Sequence, residues 1–205
     1  MPSVFIRLAG CPIRCTWCDT PYAWDPQAGT DLDIEAIVGQ MERWSSRFAV
    51  ITGGEPMVTA DLRPRPGLVE LTCRLKAGGY HVTIETAGVA FVRDLVCDLM
   101  SISPKLDRFD PRPGASCVEV MRGLIAQYDY QLKFVIESPT DAEKVKGILD
   151  LIGGVDPVKV LLMPQAQTHE DLAARSPAVA QMCLDNGWVF CQRLHVLLWG
   201  SQPGR

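Results

Sequence analysis

Short apolar, β-rich runs alternate with stretches of helical periodicity along nearly the whole chain, and this alternation limits the fold more than any other feature. Residues 3–8, 48–52, 80–86, 97–103, 130–137 and 158–163 read as strands. Residues 33–44, 67–77, 118–127, 140–152 and 169–186 read as helices. In the first helix Ile34, Ile37, Val38 and Met41 recur on one side, behind a capping Asp31 or Asp33. Gly78 and Gly79 stop the second. A last apolar stretch, 194–199, precedes a Gly/Pro-containing tail, and no internal repeat or low-complexity segment interrupts the pattern. Strands that alternate with helices become parallel neighbours joined by right-handed crossovers. About six are too few to close an eight-stranded barrel. The expected fold is therefore α/β, a partial, open (β/α) barrel of about six mainly parallel strands, in a single domain over residues 1–205.

Ligands of such folds meet the carboxyl ends of the strands. Residues ill suited to a core fall just after strands: the Cys11 to Cys18 loop, Gly53-Gly54-Glu55-Pro56, Glu85-Thr86, Ser103-Pro104-Lys105 and Pro164-Gln165. They are expected to converge on one rim.

The three cysteines at the first rim position carry the chemistry. Cys11, Cys15 and Cys18, spaced C-x3-C-x2-C, place three thiolates in one short loop without a fourth. A cubane iron–sulfur cluster held entirely by protein needs four. Three leave one iron with an open position where a small molecule can bind, which argues for an enzyme. Other readings exist. A structural zinc site wants a fourth Cys or His at short spacing, and the nearest histidine is His81. Cys15 and Cys18 alone could be a thioredoxin-type pair, but that motif opens a helix, whereas Pro21 follows here. A secreted disulfide scaffold is at odds with the chain's length, its ample apolar content and the absence of a leader before Cys11. Cys73, Cys97, Cys117, Cys183 and Cys191 read as buried small hydrophobes.

Composition narrows the partners. A 205-residue chain that is 47 % hydrophobic can bury a substantial core. A net charge of −4, with no stripe of Lys or Arg, argues against a nucleic-acid partner. No apolar run reaches membrane-spanning length, so no membrane partner is expected. The substrate should be small. Reduced thiols and no export signal point to a cytoplasmic protein.

Gly53 and Gly54, lacking Cβ atoms, let backbone approach a ligand closely, although a Gly-Gly pair standing alone reads first as an ordinary turn. Following the triple-cysteine loop, Gly53-Gly54-Glu55-Pro56 makes the chain resemble the radical S-adenosylmethionine superfamily. A narrower resemblance, over nearly the whole chain, is to the 7-carboxy-7-deazaguanine synthase family. It is carried by the stretch from Pro2 to Asp25, by Cys18-Asp19-Thr20, Ser103-Pro104-Lys105, Leu162-Met163-Pro164-Gln165 and Arg193-Leu194-His195. The resemblance implies a lyase that contracts 6-carboxy-5,6,7,8-tetrahydropterin to 7-carboxy-7-deazaguanine with loss of ammonia, on the route to queuosine and other deazapurines. It implies a 4Fe–4S cluster, S-adenosylmethionine and Mg²⁺, an electron donor such as flavodoxin or ferredoxin, and a homodimer.

Residue by residue, the resemblance makes Cys11, Cys15 and Cys18 cluster ligands and Thr20 the Mg²⁺ ligand. Arg7, Thr52 and His195 would meet the substrate. Gly54, Ser103, Pro104, Lys105, Met163, Pro164, Gln165 and Ala166 would meet S-adenosylmethionine. Each also has a plain structural reading, Thr20 as a turn residue, Arg7 as a surface arginine and His195 as a satisfied core histidine. No catalytic side chain is assigned. Family members usually begin with a Q-G-E-G segment ahead of the first strand, and this segment is expected to be missing here. The tail at 201–205 extends past the matching region and has no assigned role. The rival readings are an enzyme that installs a glycyl radical on a partner protein, and an inactive or zinc-binding relative.

Overall fold

The computed structural model describes residues 1–109, 116–200 and 202. Its strands are β1 (Val4–Leu8), β2 (Phe48–Gly53), β3 (His81–Thr86), β4 (Leu99–Ile102), β5 (Tyr130–Ile136), β6 (Val160–Pro164) and β7 (Val189–Phe190). They form one sheet in chain order, and every neighbouring pair is parallel. Among the described residues β1 and β7 do not pair, so the barrel stays open. Between the strands lie α1 (Ile34–Met41), α2 (Leu68–Ala77), α3 (Ser116–Gln127), α4 (Asp141–Ile152) and α5 (His169–Asn186), and α6 (Leu194–Trp199) follows β7. No described helix is long and apolar enough to cross a membrane.

The open barrel matches the expectation, with one strand more than the sequence indicated. Two residues are too few to show a period of two, so β7 carries no sequence signal. The 194–199 stretch is a short helix, with Leu194, Leu198 and Trp199 exposed. Local chemistry accounts for the helix ends. The Asp33 carboxylate accepts the Ala36 N–H at 2.7 Å, a cap worth about 1 kcal/mol. Gly187, at φ 68°, ends α5 in a left-handed conformation that disfavours a side chain. The surplus cysteines depart in part from expectation: Cys183 is buried, but Cys73 is exposed and Cys97, Cys117 and Cys191 are half-buried. Cys73 sits on the outer side of α2, where helical spacing decides exposure and residue type does not. Of the tail, only Gln202 lies among the described residues.

The two faces of the sheet are chemically opposite. Ala49, Ile51, Val82, Ile84, Met100, Ile102, Leu132, Phe134, Val160 and Leu162 are buried in one core with the apolar faces of the helices. Alternating with them on the strands are Arg7, Thr52, Glu85, Ser101, Gln131 and Lys133, and the pairing register sets these side by side. In a parallel sheet successive side chains point to opposite faces, so the inner wall of the barrel is polar.

Candidate functional site

The site occupies the carboxyl rim and the polar wall beneath it. Gly54 N–H donates to Leu8 O at 2.7 Å, and Glu55 N–H donates to Gly10 O at 3.1 Å, so the turn after β2 is sewn to the end of β1. A Cβ on Gly54 would lie 2.1 Å from Gly10 O, and one on Gly53 would lie 2.3 Å from Leu8 N. Only glycine permits this approach. Arg65 adds one NH2 group that reaches Gly10 O, Glu55 O and Val58 O at 3.3, 2.9 and 2.9 Å. Glu55 is buried beneath the turn and accepts from Thr86 Oγ1 (2.6 Å), Ala87 N (2.8 Å) and Met57 N (3.1 Å). Burial outweighs those bonds and pushes its carboxyl above the usual range.

The cysteine loop leaves β1 through Gly10, whose N–H donates to Ala23 O, and Cys11 N–H donates to Trp24 O. Cys11 and Cys15 are buried and Cys18 half-buried, and all three are free. Burial pushes the Cys15 and Cys18 thiols up, and the neighbouring thiols push in the same direction. Lys105 opposes this at Cys15, and the Thr20 N–H, 3.3 Å from the Cys18 sulfur, opposes it at Cys18. Three unpaired thiols, sheltered from water and met by an N–H donor and a lysine, suit an anionic cluster. Among the described residues no three His, Cys, Asp or Glu side chains gather closely enough to hold one metal ion. A cubane takes one thiolate at each of three irons, so three free thiols in one short loop suit it as a donor set. Thr20 Oγ1 donates to Asp19 Oδ1 at 3.0 Å. Together they offer hard oxygen donors of the kind Mg²⁺ takes alongside water and substrate oxygens.

Asp19 connects the loop to α6. Arg193, buried at the start of that helix, forms an ion pair with Asp19 Oδ2, and His195 Nε2 lies 3.8 Å from the same oxygen. Burial raises the Asp19 carboxyl, but Arg193, Thr20 and His195 together hold it below the usual range. Burial, then the charge of Arg193, lowers His195, leaving a neutral imidazole at pH 7.

Deeper in the barrel, Thr52 Oγ1 donates to Glu85 Oε2 at 3.1 Å and Lys133 Nζ donates to Glu85 Oε1 at 2.9 Å. Burial raises Glu85, yet Lys133, Thr52 and Arg7 more than offset it, and the carboxyl stays low. Lys133 is likewise held ionised by Glu85 against burial. Lys105 donates to Ser103 Oγ at 2.9 Å and lies over the Trp17 ring at 5.3 Å. Arg7, Lys133 and Arg193 thus outnumber Asp19 and Glu85, while burial pulls Lys105 below the usual lysine range, and the cavity favours anionic groups.

Of the residues singled out in the sequence, Cys11, Cys15, Cys18, Thr20, Gly54, Ser103, Pro104 and Lys105 lie on this rim, and Arg7 and Thr52 on the wall below it. His195 faces the same space through Asp19. Met163, Pro164, Gln165 and Ala166 follow the end of β6. There Ala166 packs with Leu172 and Val196, and Gln165 Oε1 accepts from Arg175 at 3.0 Å. Charged residues of the site with no assigned role from sequence include Glu55, Glu85, Lys133, Asp19 and Arg193. A usable signal existed for Lys133, since Gln131 and Lys133 alternate with Leu132 and Phe134 in a strand otherwise fit for burial.

Residues 5–110 match the Radical SAM superfamily. The chain is 35 % identical to a 7-carboxy-7-deazaguanine synthase of Halobacterium salinarum, an alignment covering 98 % of this chain and 84 % of that protein. It is 34 % identical to the protein of the same name from Pyrobaculum aerophilum, covering 100 % and 89 %. Among solved structures, the crystal structure of QueE from Escherichia coli superposes with a TM-score of 0.65 at 25 % identity, over 94 % of this chain and 85 % of that one.

Proposed function

The chain belongs to the 7-carboxy-7-deazaguanine synthase family of the radical SAM superfamily, and from that premise we propose that it converts 6-carboxy-5,6,7,8-tetrahydropterin to 7-carboxy-7-deazaguanine with release of ammonia, in deazapurine and queuosine synthesis. It is an enzyme that uses a 4Fe–4S cluster and S-adenosylmethionine, and when bound these supply one-electron chemistry that abstracts a hydrogen atom from the substrate. The observation that carries the reading is the polar wall of Arg7, Thr52, Glu85 and Lys133 directly beneath the rim that holds the three thiols.

Cys11, Cys15 and Cys18 would hold the cluster, and three protein ligands would leave it open to S-adenosylmethionine. The Gly54 backbone, Ser103, Pro104, Lys105 and the segment Met163, Pro164, Gln165 and Ala166 receive the rest of that cofactor. Lys105 would donate a hydrogen bond to its carboxylate. Arg7 holds the pterin carboxylate by a charge-assisted contact worth roughly 1.5–3 kcal/mol. Thr52 and the ionised Glu85 accept from ring N–H groups. Lys133 Nζ donates to ring acceptors, and neutral His195 completes the cavity on the Asp19 side. Thr20, with Asp19 beside it, would hold Mg²⁺. The chain works as a single domain, and the one continuous sheet supports this. A small one-electron carrier protein, flavodoxin or ferredoxin in kind, supplies the electron, and the enzyme acts as a homodimer in the cytoplasm.

Anaerobic reconstitution tests the reading. Protein carrying about four irons and four sulfides per chain, and turning over the carboxylated tetrahydropterin with release of ammonia, is the expected result. Zinc without iron or sulfide would overturn it. Cleavage of S-adenosylmethionine with the pterin untouched would remove the substrate assignment alone.

A further inference from the structure

A hairpin follows the Gly53-Gly54 turn and ends on an arginine that reaches back across it. Residues 57–65 are closed by the Val58–Pro64 bridge, by Thr59 N–H donating to Arg63 O at 2.8 Å and by Arg65 N–H donating to Met57 O at 3.2 Å. Met57 and Val58 are buried, which anchors the base of the hairpin in the core. From that base one NH2 group of Arg65 donates to Gly10 O, Glu55 O and Val58 O. These carbonyls belong to two parts of the rim. Gly10 immediately precedes Cys11, the first thiol of the loop, whereas Glu55 and Val58 follow Gly54. Gly10 O accepts from both Glu55 N–H and Arg65, so the cation sits on the seam between the two parts. The Arg65 Nε–H is buried without a partner. An unmatched buried donor costs stability, which is not what cohesion alone would select.

We propose that Arg65 is a positioning residue that fixes the gap between the cysteine loop and the Gly54 backbone, and thereby sets the affinity for S-adenosylmethionine. The proposal rests on the function proposed above, in which that cofactor is met by the cluster on one side and by the Gly54 turn on the other. A ligand held at two points binds tightly only when both are in register beforehand, because aligning them on binding consumes affinity. Arg65 acts through the Gly10 and Glu55 carbonyls and meets neither ligand itself. The pterin is met by Arg7, Thr52 and the wall below the rim, and Arg65 hydrogen-bonds to none of these. Its removal should therefore be felt by one ligand and not by the other.

The test uses the full chain, reconstituted with iron and sulfide without oxygen. Calorimetric titration with S-adenosylmethionine, in the absence of pterin and reductant, reads affinity with no contribution from turnover. Arg65→Met should load iron in full and bind the cofactor about 5- to 20-fold more weakly, while the KM for the pterin at saturating cofactor stays within about 2-fold. Arg65→Lys keeps the charge on a shorter stem without the planar fork, and should lose about 2- to 5-fold. Arg63→Met, on the same hairpin with its side chain paired to exposed Asp61, should bind like the unsubstituted protein. Unchanged affinity in Arg65→Met overturns the proposal. So does an equal loss for the pterin, or an equal loss in Arg63→Met. If Arg65→Met loads no iron, Arg65→Lys decides alone: full iron with the smaller loss upholds the proposal, and unchanged affinity overturns it. Unsubstituted protein that loads iron and sulfide but binds no S-adenosylmethionine defeats the function proposed above and this inference with it, whereas unchanged affinity in the variants defeats this inference only.

Discussion

Arg193 and Asp19, separated by 174 residues in sequence, form an ion pair in which the guanidinium is buried and the carboxylate half-exposed. The pair joins the helix after the last strand to the residue beside Cys18. The cysteine loop is thereby held from both ends of the chain, by β1 and the Gly53-Gly54 turn on one side and by α6 on the other.

Arg193→Met should destabilise the protein by about 1–3 kcal/mol. That is less than the 3–5 kcal/mol typical of breaking a fully buried pair, because water screens Asp19. Denaturant unfolding of the metal-free protein measures it. Arg193→Lys should recover only part of the loss, since a single ammonium cannot reproduce the planar fork. Full recovery would show that charge alone matters at this position.

Cys15→Ala should abolish the brown iron–sulfur chromophore and turnover together while the far-ultraviolet circular dichroism stays unchanged. A variant that keeps its cluster absorbance would remove Cys15 from the ligand set.

Thr20→Ala should spare cluster assembly and weaken the stimulation of turnover by Mg²⁺. The check is a Mg²⁺ titration at saturating pterin. An unaltered half-saturation point would place the cation elsewhere.

Lys133→Met removes the cation that keeps Glu85 ionised. Loss of a charge-assisted contact predicts a fall in kcat/KM of roughly 10- to 150-fold. Glu85, half-buried without its partner, should titrate higher, so the acid limb of the pH–rate profile shifts toward neutrality. Stability follows the same sign. The folded Glu85 is depressed, so its contribution is present above the unfolded carboxylate range and is lost as pH falls through its folded value. Lys133 is raised, so its contribution is present below the unfolded lysine value and is lost as pH rises through the folded one. The stability gap between the two proteins should therefore be widest near pH 7 and should narrow in acid and in strong alkali. A gap independent of pH would mean that the pair contributes through packing alone.

Gly54→Ala should cost about 1–3 kcal/mol and lower cluster loading, because the added carbon meets the Gly10 carbonyl and forces the cysteine loop outward. Iron content of reconstituted protein reads the second effect directly.

The sequence exposed those parts of the molecule that repeat a local pattern. Six strands and five helices follow from apolar periodicity, and the rim positions follow from where the strands stop. Relationships across the fold were hidden. Nothing near Asp19 indicates that its partner is Arg193, and nothing near Glu85 points to Lys133, since both pairings depend on how strands and helices stack. β7 was invisible because two residues have no period.

Because chemistry and cohesion occupy opposite faces of the same strands, the two can evolve or be engineered almost independently. Repacking Leu132, Phe134 or Leu162 should retune thermal tolerance without altering what the cavity recognises. A one-residue insertion within β5 would do the reverse. It would carry Lys133 into the oily layer, bring Phe134 to the pterin and turn the pocket inside out in one step.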